Sequence, residues 1–573
     1  MFTFSKNFYF FKRGLCLLIT ALMLILNGTG SSLDTDRAKL FSITGSKNTL
    51  LSVYSHCFYE PTVKLTSNMP MGNTKTHTMY MAKNETEFCQ IAVRSTKSRK
   101  SSYVKVSDFT DKNGNVIPAE LCFEYEVIAP DSYYSKEPDA LLPATNNEWQ
   151  YWSLQETNYV FAIIAKTDEN TVPGDYTATV QYGNFHSDGS RYENSTAKVS
   201  LHVWDFTLPK TSSLKTAYGV WYNLFPQFFD GDSAEMKRLM EEYYEMFLEH
   251  HISLYHFPQE VFLSDEADKY LNDERMTSYI IPYSRDDATL QQIWAKVQSN
   301  PVWAEKGYFY PVDEPNKKDR IDAYIEATDR LERLCPGYKM LTPVCEDTTE
   351  AVNTQTGEHY SNIDLQIERN NTMCPVNFLF DTVEGLYDRC KTAQANGSEF
   401  WSYIVCGTEP TTDYCNYRIE NLGIKMRILF WQMDFFGVEG LLFWSTNYSW
   451  QDRVDIYYNV QSSGGGYLVY PLSISKSGDI WWLHEQFGFH QGAFGFERYG
   501  EKNMIFSSLR LEGSANGIED YEYLKMAEDL LGKDYADKTV RKITTGNTEF
   551  TYSDATFAKV RIELGNAIEK ASK

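Results

Sequence analysis

The sequence predicts a multidomain protein with an N-terminal antiparallel β-sandwich, a (β/α)8 TIM-type barrel and a C-terminal region that contains helices. Three observations predict this fold class. Short alternating runs of apolar and polar residues fill residues 49–212. Strand-like runs then alternate with helical patterns through residues 213–460. Residues 461–573 contain amphipathic helical patterns. A chain of 573 residues is long enough for more than one domain.

The first residues have the pattern of a secretory signal peptide. Basic residues precede the apolar run Gly14–Leu26, and small residues follow it. This run is shorter than the roughly 20 residues that a membrane-spanning helix needs. We therefore expect residues 1–31 to be a signal peptide, residues 32–48 to be a linker, and the protein to be secreted or at the cell surface. A membrane becomes a partner only if the signal stays uncleaved.

The predicted sandwich consists of short strands with one buried face. Apolar and polar residues alternate within each run, and turn sequences such as Asp111–Asn115 and Pro173–Asp175 separate the runs. Many short strands at this spacing are typical of an antiparallel sandwich. The clearest runs are Thr78–Met81, Phe88–Arg94, Tyr103–Val106, Tyr159–Ala165, Tyr176–Tyr182 and Ala197–Trp204.

The predicted barrel begins where strands start to alternate with helices. The predicted strands are Thr216–Trp221, Ile252–Phe257, Ser278–Pro282, Tyr308–Val312, Met340–Val344, Asn377–Phe380, Phe400–Val405 and Gly440–Trp444. The predicted helices are Ser233–His250, Asp286–Gln298, Asn316–Arg333, Thr382–Ala395, Tyr417–Phe435, Ile518–Leu531 and Asp554–Ala571. A doubly wound open sheet is the alternative, but the sequence has no Gly-x-Gly-x-x-Gly or P-loop motif to support a nucleotide-binding fold.

Two adjacent acids end the fourth predicted barrel strand. Asp313 and Glu314 follow Tyr308–Val312, and we expect Pro315 to begin the next helix. Neighbouring side chains of a strand point to opposite faces, so both acids can face one way only if the backbone turns between them. The C-terminal end of a barrel strand is the usual place of catalytic residues. Capping of the next helix is the alternative function, and this stretch alone leaves both open.

Aromatic and acidic residues also end the other predicted strands. Aromatic rings stack on sugars, and carboxylates protonate the leaving oxygen in glycoside hydrolysis. The candidates for substrate binding are Trp221, Tyr222, His256, Glu346, Asp381, Trp401, Tyr403 and Trp444, and Asp347 and Asn447 occupy the same strand ends. The alternatives are structural, with His256 as a core residue and Trp401 and Trp444 as barrel packing.

Composition excludes several classes of partner. The net charge of −23 and the lack of a basic run argue against a nucleic-acid partner. The cysteines show neither a CxxC spacing nor a Cys/His cluster, so we expect no metal, and no motif indicates a cofactor. Cys345 has no histidine at a recognisable spacing, which disfavours a thiol nucleophile. The sequence indicates no oligomeric state.

Several motifs resemble a known family. The sequence Phe309–Pro315 resembles the Asp-Glu-Pro corner of glycoside hydrolase family 123. Gly465–Pro471, Ser508–Glu512 and Gly517–Leu524 resemble the domain of unknown function 4091 that is associated with that family. The segment that begins with Ala82–Glu85 is similar to the N-terminal domain of the family.

This resemblance implies a β-N-acetylgalactosaminidase-like enzyme that acts on a terminal N-acetylhexosamine of glycans and retains the anomeric configuration. The acetamido oxygen of the substrate would act as the nucleophile and form an oxazoline. Asp313 would hold the acetamido N–H, and Glu314 would be the general acid and then the general base. These roles need one ionised and one protonated carboxyl group, which proximity and partial burial can produce. A glycosidase for a sugar without an acetamido group and a non-catalytic glycan-binding protein remain the alternatives.

The tail also contains charged residues whose roles stay open at this point. Arg510 and Glu512 either line the site or form a buried ion pair. Glu519 and Asp520 lie at the predicted start of their helix, where capping is the simplest explanation.

Overall fold

The computed structural model describes residues 53–129, 135–256, 259–352, 357, 359–369, 372–406, 411–452, 464–473 and 503–573. The predicted signal peptide and linker lie outside the described residues. Residues from Val53 onward belong to one compact unit. Within the described ranges, no helix is long and apolar enough to cross a membrane.

The strands of the first part of the chain form two sheets. They are β1 (Tyr54–Tyr59), β2 (His77–Lys83), β3 (Thr86–Ser95), β4 (Arg99–Val106), β5 (Phe109–Thr110), β6 (Val116–Ile117), β7 (Ala119–Ala129), β8 (Ser135–Pro143), β9 (Glu148–Ser153), β10 (Asn158–Lys166), β11 (Gly174–Phe185) and β12 (Arg191–Thr207). One sheet has the order β1-β3-β10-β7-β8, and the other has the order β2-β12-β11-β4-β9 with β5 and β6 attached to it. The sequence predicts a purely antiparallel sandwich. Strands β2 and β12 run parallel, however, so the second sheet is mixed.

Buried aromatic side chains connect the two sheets. The rings of Tyr151 in β9 and Tyr159 in β10 lie 4.5 Å apart, and Phe123 in β7 stacks on Trp149 in β9 at 5.2 Å. All four side chains are buried. Because successive strand residues point to opposite faces, the alternating sequence pattern gives each sheet one apolar face for this contact.

The second part of the chain combines short strands, most of them parallel, with helices. The strands are β13 (Lys215–Tyr218), β14 (Tyr279–Ile281), β15 (Gly307–Phe309), β16 (Pro343–Val344), β17 (Ala351–Val352), β18 (His359–Tyr360), β19 (Thr372–Pro375), β20 (Glu399–Ile404), β21 (Gly440–Phe443), β22 (Tyr470–Leu472) and β23 (Met504–Phe506). A curled parallel sheet has the order β13-β21-β20-β19-β16, and β14 and β15 form a separate parallel pair. The described strands therefore do not form one continuous ladder, and the predicted TIM-type barrel is not shown.

Side-chain hydroxyls explain why one of these ladders is interrupted. Thr216 N–H donates to Thr277 Oγ1 at 2.9 Å, Ser253 N–H donates to Thr216 Oγ1 at 2.8 Å, and Thr277 N–H donates to Ser253 Oγ at 2.8 Å. These buried hydroxyls accept the backbone N–H groups that a neighbouring carbonyl would accept in a regular ladder. On the edge of β13 that does not pair with β21, a single parallel bridge, Tyr218–Leu254, is present.

Several helices have nearly the bounds that the apolar periodicity predicts. They are α1 (Phe225–Phe228), α2 (Ser233–Glu249), α3 (Gln259–Leu263), α4 (Ala267–Leu271), α5 (Asp287–Gln298), α6 (Pro301–Lys306), α7 (Lys318–Leu334), α8 (Asn362–Arg369), α9 (Leu379–Thr382), α10 (Leu386–Ala395), α11 (Gly423–Phe436), α12 (Leu509–Leu531), α13 (Lys533–Val540) and α14 (Asp554–Ala571), with 3-10 turns at Tyr222–Leu224 and Tyr448–Asp452. The predicted strand Asn377–Phe380 is wrong: strand β19 ends at Pro375, and α9 follows.

The charged residues of the tail are structural. Arg510 is 1% exposed, and its Nε donates to Asp139 Oδ2 in β8 at 2.9 Å. Asp520 lies in the middle of α12, where it accepts from Arg427 Nε at 2.6 Å and from Arg561 Nε at 2.7 Å. The capping role is therefore wrong for Asp520. Helix α12 begins at Leu509, earlier than predicted, because the Ser508 hydroxyl caps it.

Candidate active site

The two predicted catalytic acids lie on a sharp corner between β15 and α7. Strand β15 ends at Phe309, and α7 begins at Lys318. The prediction that Pro315 begins the helix is therefore wrong, because Pro315 lies three residues before it. Glu314 has a φ of +42°, in the left-handed region that non-glycine residues rarely adopt. Such a conformation costs roughly 1–3 kcal/mol and is concentrated at functional sites. The backbone therefore turns at Glu314, immediately after Asp313.

Short-range hydrogen bonds hold this corner. Asn316 N–H donates to the Glu314 carbonyl at 2.8 Å, which closes a tight turn around Pro315. The Arg320 guanidinium donates to the Asp313 carbonyl at 3.1 Å from the first turns of α7. The main chain on both sides of the two carboxyl groups is thus fixed by residues within seven positions of them.

Asn362 fixes the corner from a distant part of the chain. This residue starts α8 and is 1% exposed. Its side-chain amide donates to the carbonyl of Pro315 at 3.2 Å and to the carbonyl of Glu346 at 3.1 Å, and its carbonyl oxygen accepts from Thr348 N–H at 2.8 Å. A buried amide with these partners holds the loop after β16 against the corner.

Each acid accepts a hydrogen bond from its own tyrosine. Tyr310 donates to Asp313 Oδ1 at 2.8 Å, and Tyr403, near the C-terminal end of β20, donates to Glu314 Oε1 at 2.6 Å. Burial, followed by nearby ionisable groups that include the adjacent carboxyl group, raises the pKa of both tyrosines well above the usual value. Both phenols therefore stay protonated and act as donors. The predicted site residue Tyr403 does lie beside the corner.

Cys345 and Glu346 also lie beside the corner. Burial and the neighbouring Glu314 raise the pKa of Cys345 to about 12, so the thiol is protonated at neutral pH and is a poor nucleophile. Glu346 accepts from the Asn316 side chain at 2.6 Å. The structure thus brings Glu346 next to the corner, in agreement with its place at a predicted strand end.

A series of aromatic rings leads from Asp313 to His256. Tyr310 contacts Tyr255 at a ring distance of 6.0 Å, and Tyr255 stacks on His256 at 4.5 Å. Burial lowers the pKa of His256 to about 4, and its Nδ1 lies 3.1 Å from Val220 N–H. His256 is therefore neutral, accepts this hydrogen bond through Nδ1 and carries its proton on Nε2.

Trp221, Tyr222 and Trp444 continue this aromatic surface. Trp221 lies 6.0 Å from His256 and 5.4 Å from Tyr448, and Trp444 lies 5.1 Å from Tyr448. Tyr222 donates to the His256 carbonyl at 3.1 Å. The rings that were predicted at three separate strand ends therefore meet in one region.

Trp401 does not belong to this region. The side chain is fully buried, and its indole donates to Glu399 Oε2 at 2.9 Å. Glu399 is the first residue of β20, and its other oxygen accepts from Lys215 at 2.9 Å. Although burial acts to raise it, Lys215 and Lys339 hold the pKa of Glu399 at about 2. Trp401 as a substrate-binding residue is wrong, because its polar atom faces this cluster at the opposite ends of the strands.

Asp381 and Asp347 also have other surroundings. Asp381 is exposed on the short helix α9, where it is hydrogen-bonded to Tyr414. The sequence placed Asp381 at the end of the predicted strand Asn377–Phe380, but strand β19 ends at Pro375, six residues before Asp381. Asp347 pairs with Arg389 at 3.5 Å. Neither acid contacts the corner through any described interaction.

The sequence missed Tyr310, Tyr255, Tyr448 and Asn362. Tyr310 and Tyr255 lie in predicted strands, where an aromatic residue is expected to be core. Tyr448 directly follows Asn447, so its place after the last barrel strand was the available signal. Asn362 had no signal, because it lies in a helix that the sequence did not predict.

Among the described residues, no group of three or more His, Cys, Asp or Glu side chains is placed to hold a metal ion. No known family model matches this chain, and no curated protein matches it. Weak structural likenesses include the MyfA fimbrial subunit from Yersinia enterocolitica, with 8% identity, 26% of this chain, 98% of that chain and a TM-score of 0.17. Likenesses of that size carry no argument.

One solved structure is similar over most of this chain. It is a family 123 glycoside hydrolase from Clostridium perfringens, described in connection with glycolipid glycan hydrolysis. The match covers 90% of this chain and 97% of that chain, with a TM-score of 0.58 and 13% sequence identity. At this identity the likeness shows the fold alone: this chain has a fold like that of a family 123 glycoside hydrolase.

Proposed function

We propose that this protein is a retaining glycoside hydrolase that removes a terminal β-linked N-acetylhexosamine from glycans, as a β-N-acetylgalactosaminidase-like enzyme. The observation that carries the proposal is the corner at Asp313 and Glu314. It places adjacent carboxyl groups after a strand, turns the backbone between them and gives each one a separate phenol donor. A helix cap needs none of these features.

The proposal includes the complete architecture. We propose a sandwich at residues 49–212, a closed (β/α)8 barrel at 213–460 and a C-terminal region at 461–573. Single parallel bridges, Tyr218–Leu254 and Phe309–Met340, support closure between the curled sheet and the β14–β15 pair. Ile280 N–H also donates to the Tyr255 carbonyl at 2.7 Å. In such a barrel the corner lies at the C-terminal ends of the strands, where catalytic residues are found.

In the proposed reaction, Glu314 gives a proton to the leaving oxygen while the acetamido oxygen of the substrate attacks the anomeric carbon. The glycosidic C–O bond breaks, and a C–O bond of the oxazoline forms. Asp313 accepts a hydrogen bond from the acetamido N–H and stabilises the positive charge that develops on the acetamido group. Glu314 then takes a proton from the water that opens the oxazoline. Two displacements at one carbon retain the configuration.

The hydrogen bonds at the corner suit these roles. Tyr403 bonds to Oε1 of Glu314 and Tyr310 bonds to Oδ1 of Asp313, so each phenol orients a carboxyl group without adding a competing charge. Among the described residues, no tyrosine donates to the second oxygen of either carboxyl group, and we assign these two oxygens to the substrate. We assign Glu346, which is exposed beside Asn316, to accept a hydrogen bond from a sugar hydroxyl.

We also propose that residues 1–31 direct secretion, on the basis of their basic, apolar and small-residue pattern.

The experiment that tests the enzymatic proposal is a screen of aryl β-glycosides with the wild type and Glu314→Gln. We expect hydrolysis of the N-acetylgalactosaminide and inhibition by a thiazoline analogue of the oxazoline. Glu332→Gln, which changes an exposed acid of α7, is the matched control and keeps wild-type activity.

A glycosidase for a sugar without an acetamido group is the second candidate, because the same carboxyl groups could serve it. Hydrolysis of plain galactosides without thiazoline inhibition would favour that enzyme. Binding of glycans with no turnover of any substrate would instead leave a non-catalytic glycan-binding protein.

A further inference from the structure

Trp221 and Tyr448 form an exposed aromatic pair beyond the corner. The two residues are 39% and 37% exposed, so each leaves more than a third of its surface accessible to water. Their rings lie 5.4 Å apart in an edge-to-face arrangement. Such rings are costly to leave in water unless a ligand or partner covers them.

The backbone beneath the pair is clamped by Asn447, which is fully buried. Its side-chain oxygen accepts from Trp221 N–H at 2.8 Å, and its amide donates to the Trp221 carbonyl at 3.1 Å. Tyr448 N–H donates to the buried Ser445 hydroxyl at 2.9 Å. The two exposed rings therefore stand on a rigid base, which lowers the entropic cost of binding a ligand.

A glycine supports the pair from behind. Gly466 has a φ of +80°, and a Cβ at this position would lie 2.6 Å from the Trp444 ring and 3.4 Å from Tyr448. Only glycine allows the chain to pass so close to these rings. Trp444 in turn packs against Tyr448. The aromatic surface is thus built into the fold.

The chemistry of this surface favours a neutral ligand. The described ring contacts of the pair are with His256 and Trp444, and His256 is neutral because burial lowers its pKa to about 4. Apolar ring faces beside a neutral imidazole suit the C–H face of an uncharged sugar.

The ring series defines where the pair lies relative to the corner. Contacts at 6.0, 4.5 and 6.0 Å lead from Tyr310 through Tyr255 and His256 to Trp221. The acetylated sugar of the proposed reaction lies against Asp313, beside the first of these rings. Because that sugar is terminal, any further sugar of the substrate is on the leaving side.

We propose that Trp221 and Tyr448 form a subsite for the neutral sugar on the leaving side of the cleaved bond. This inference rests on the proposed function and adds to it a preference for glycans over simple glycosides. Stacking on the pair would hold the leaving sugar while Glu314 protonates the oxygen that joins it to the acetylated sugar.

The test compares two substrates with the variants Trp221→Ala, Tyr448→Ala and Trp152→Ala. One substrate is the methyl β-glycoside of N-acetylgalactosamine, whose aglycone is too small to reach the pair. The other is the disaccharide in which N-acetylgalactosamine is β-linked to galactose. We expect kcat/KM for the disaccharide to fall about tenfold in the first two variants, with less than about a twofold change for the methyl glycoside. Trp152, a 42% exposed tryptophan in β9, is the matched control and changes neither value.

Equal losses on both substrates, or no loss on either, would overturn the subsite. Tyr448→Phe keeps the ring and should retain wild-type selectivity, which separates stacking from a folding defect. Titration of Glu314→Gln with the disaccharide, followed by tryptophan fluorescence, reads binding without turnover. A fluorescence titration that is weakened in the Glu314→Gln, Tyr448→Ala double variant, which keeps every tryptophan, supports the subsite even if no glycoside is hydrolysed, whereas unchanged affinity there contradicts the subsite.

Discussion

The phenolic oxygen of Tyr403 lies 2.6 Å from Oε1 of Glu314, although 89 residues separate them in the chain. Tyr403 comes from β20 and Glu314 follows β15, so this contact exists only when the two strands take their places in the fold. The phenol is buried and protonated, which makes it a fixed donor to one oxygen of the carboxyl group. This hydrogen bond orients the group that we propose as the general acid.

Removal of the phenol should loosen Glu314 without removing its carboxyl group. We expect Tyr403→Phe to lower kcat by about 10- to 100-fold with little change in KM, because orientation of the acid matters most in the transition state. The measurement is steady-state kinetics on an aryl glycoside. Tyr414→Phe, at a tyrosine that lies beside Asp381 and away from the corner, should leave kcat unchanged. A Tyr403→Phe enzyme with wild-type kcat would show that this hydrogen bond has no catalytic role.

The two acids should differ in how their loss depends on the leaving group. We expect Glu314→Gln to slow cleavage by about 10²–10⁴-fold for poor leaving groups and much less for activated phenols, which need no proton. Asp313→Asn should slow all substrates to a similar extent, because every substrate needs the acetamido oxygen as its nucleophile, whatever its leaving group. A series of substituted phenyl glycosides measures both trends. Parallel trends for the two variants would contradict the assigned roles.

Asn362 should act as a positioning residue for the corner. We expect Asn362→Ala to release the Pro315 carbonyl and lower kcat about tenfold, and to reduce the free energy of unfolding by about 1–3 kcal/mol, since buried partners lose their hydrogen bonds. Kinetics and urea unfolding measure the two effects. Thr328→Val is a control with a comparable stability cost, because this buried α7 hydroxyl bonds only within its own helix and to Arg369. If both variants lost the same activity at equal stability, the effect would be one of stability alone.

The cluster at Glu399 should govern stability at acid pH. Its folded-state pKa of about 2 lies below the ordinary value of 4.5, because Lys215 and Lys339 outweigh the effect of burial. The contribution of Glu399 to the free energy of unfolding is thus fully present above pH 4.5 and is lost as the pH falls toward 2. We expect Glu399→Gln to destabilise the protein by about 2 kcal/mol at pH 7, with a smaller difference from the wild type at pH 3. Urea unfolding across this range is the measurement, and Glu332→Gln should follow the wild-type curve. A constant difference at all pH values would contradict this assignment.

Local patterns in the sequence were sufficient for much of the fold. Helix α2 and helix α14 match their predicted bounds to within one residue, because a helix of this length repeats its apolar face several times. The alternating runs of the first sheets were also recognisable, since one buried face imposes a period of two. The corner at Asp313 and Glu314 was visible because adjacent acids, a proline and a preceding strand are all local features.

The sequence by itself thus determined where apolar faces repeat and where the two acids stand. Only the tertiary structure decided which side chains surround them. It brought Tyr403 and Asn362 to the corner. The physical reason is that periodicity depends on neighbours within a few residues, whereas a hydrogen bond between distant segments depends on how sheets and helices pack, which no local pattern specifies.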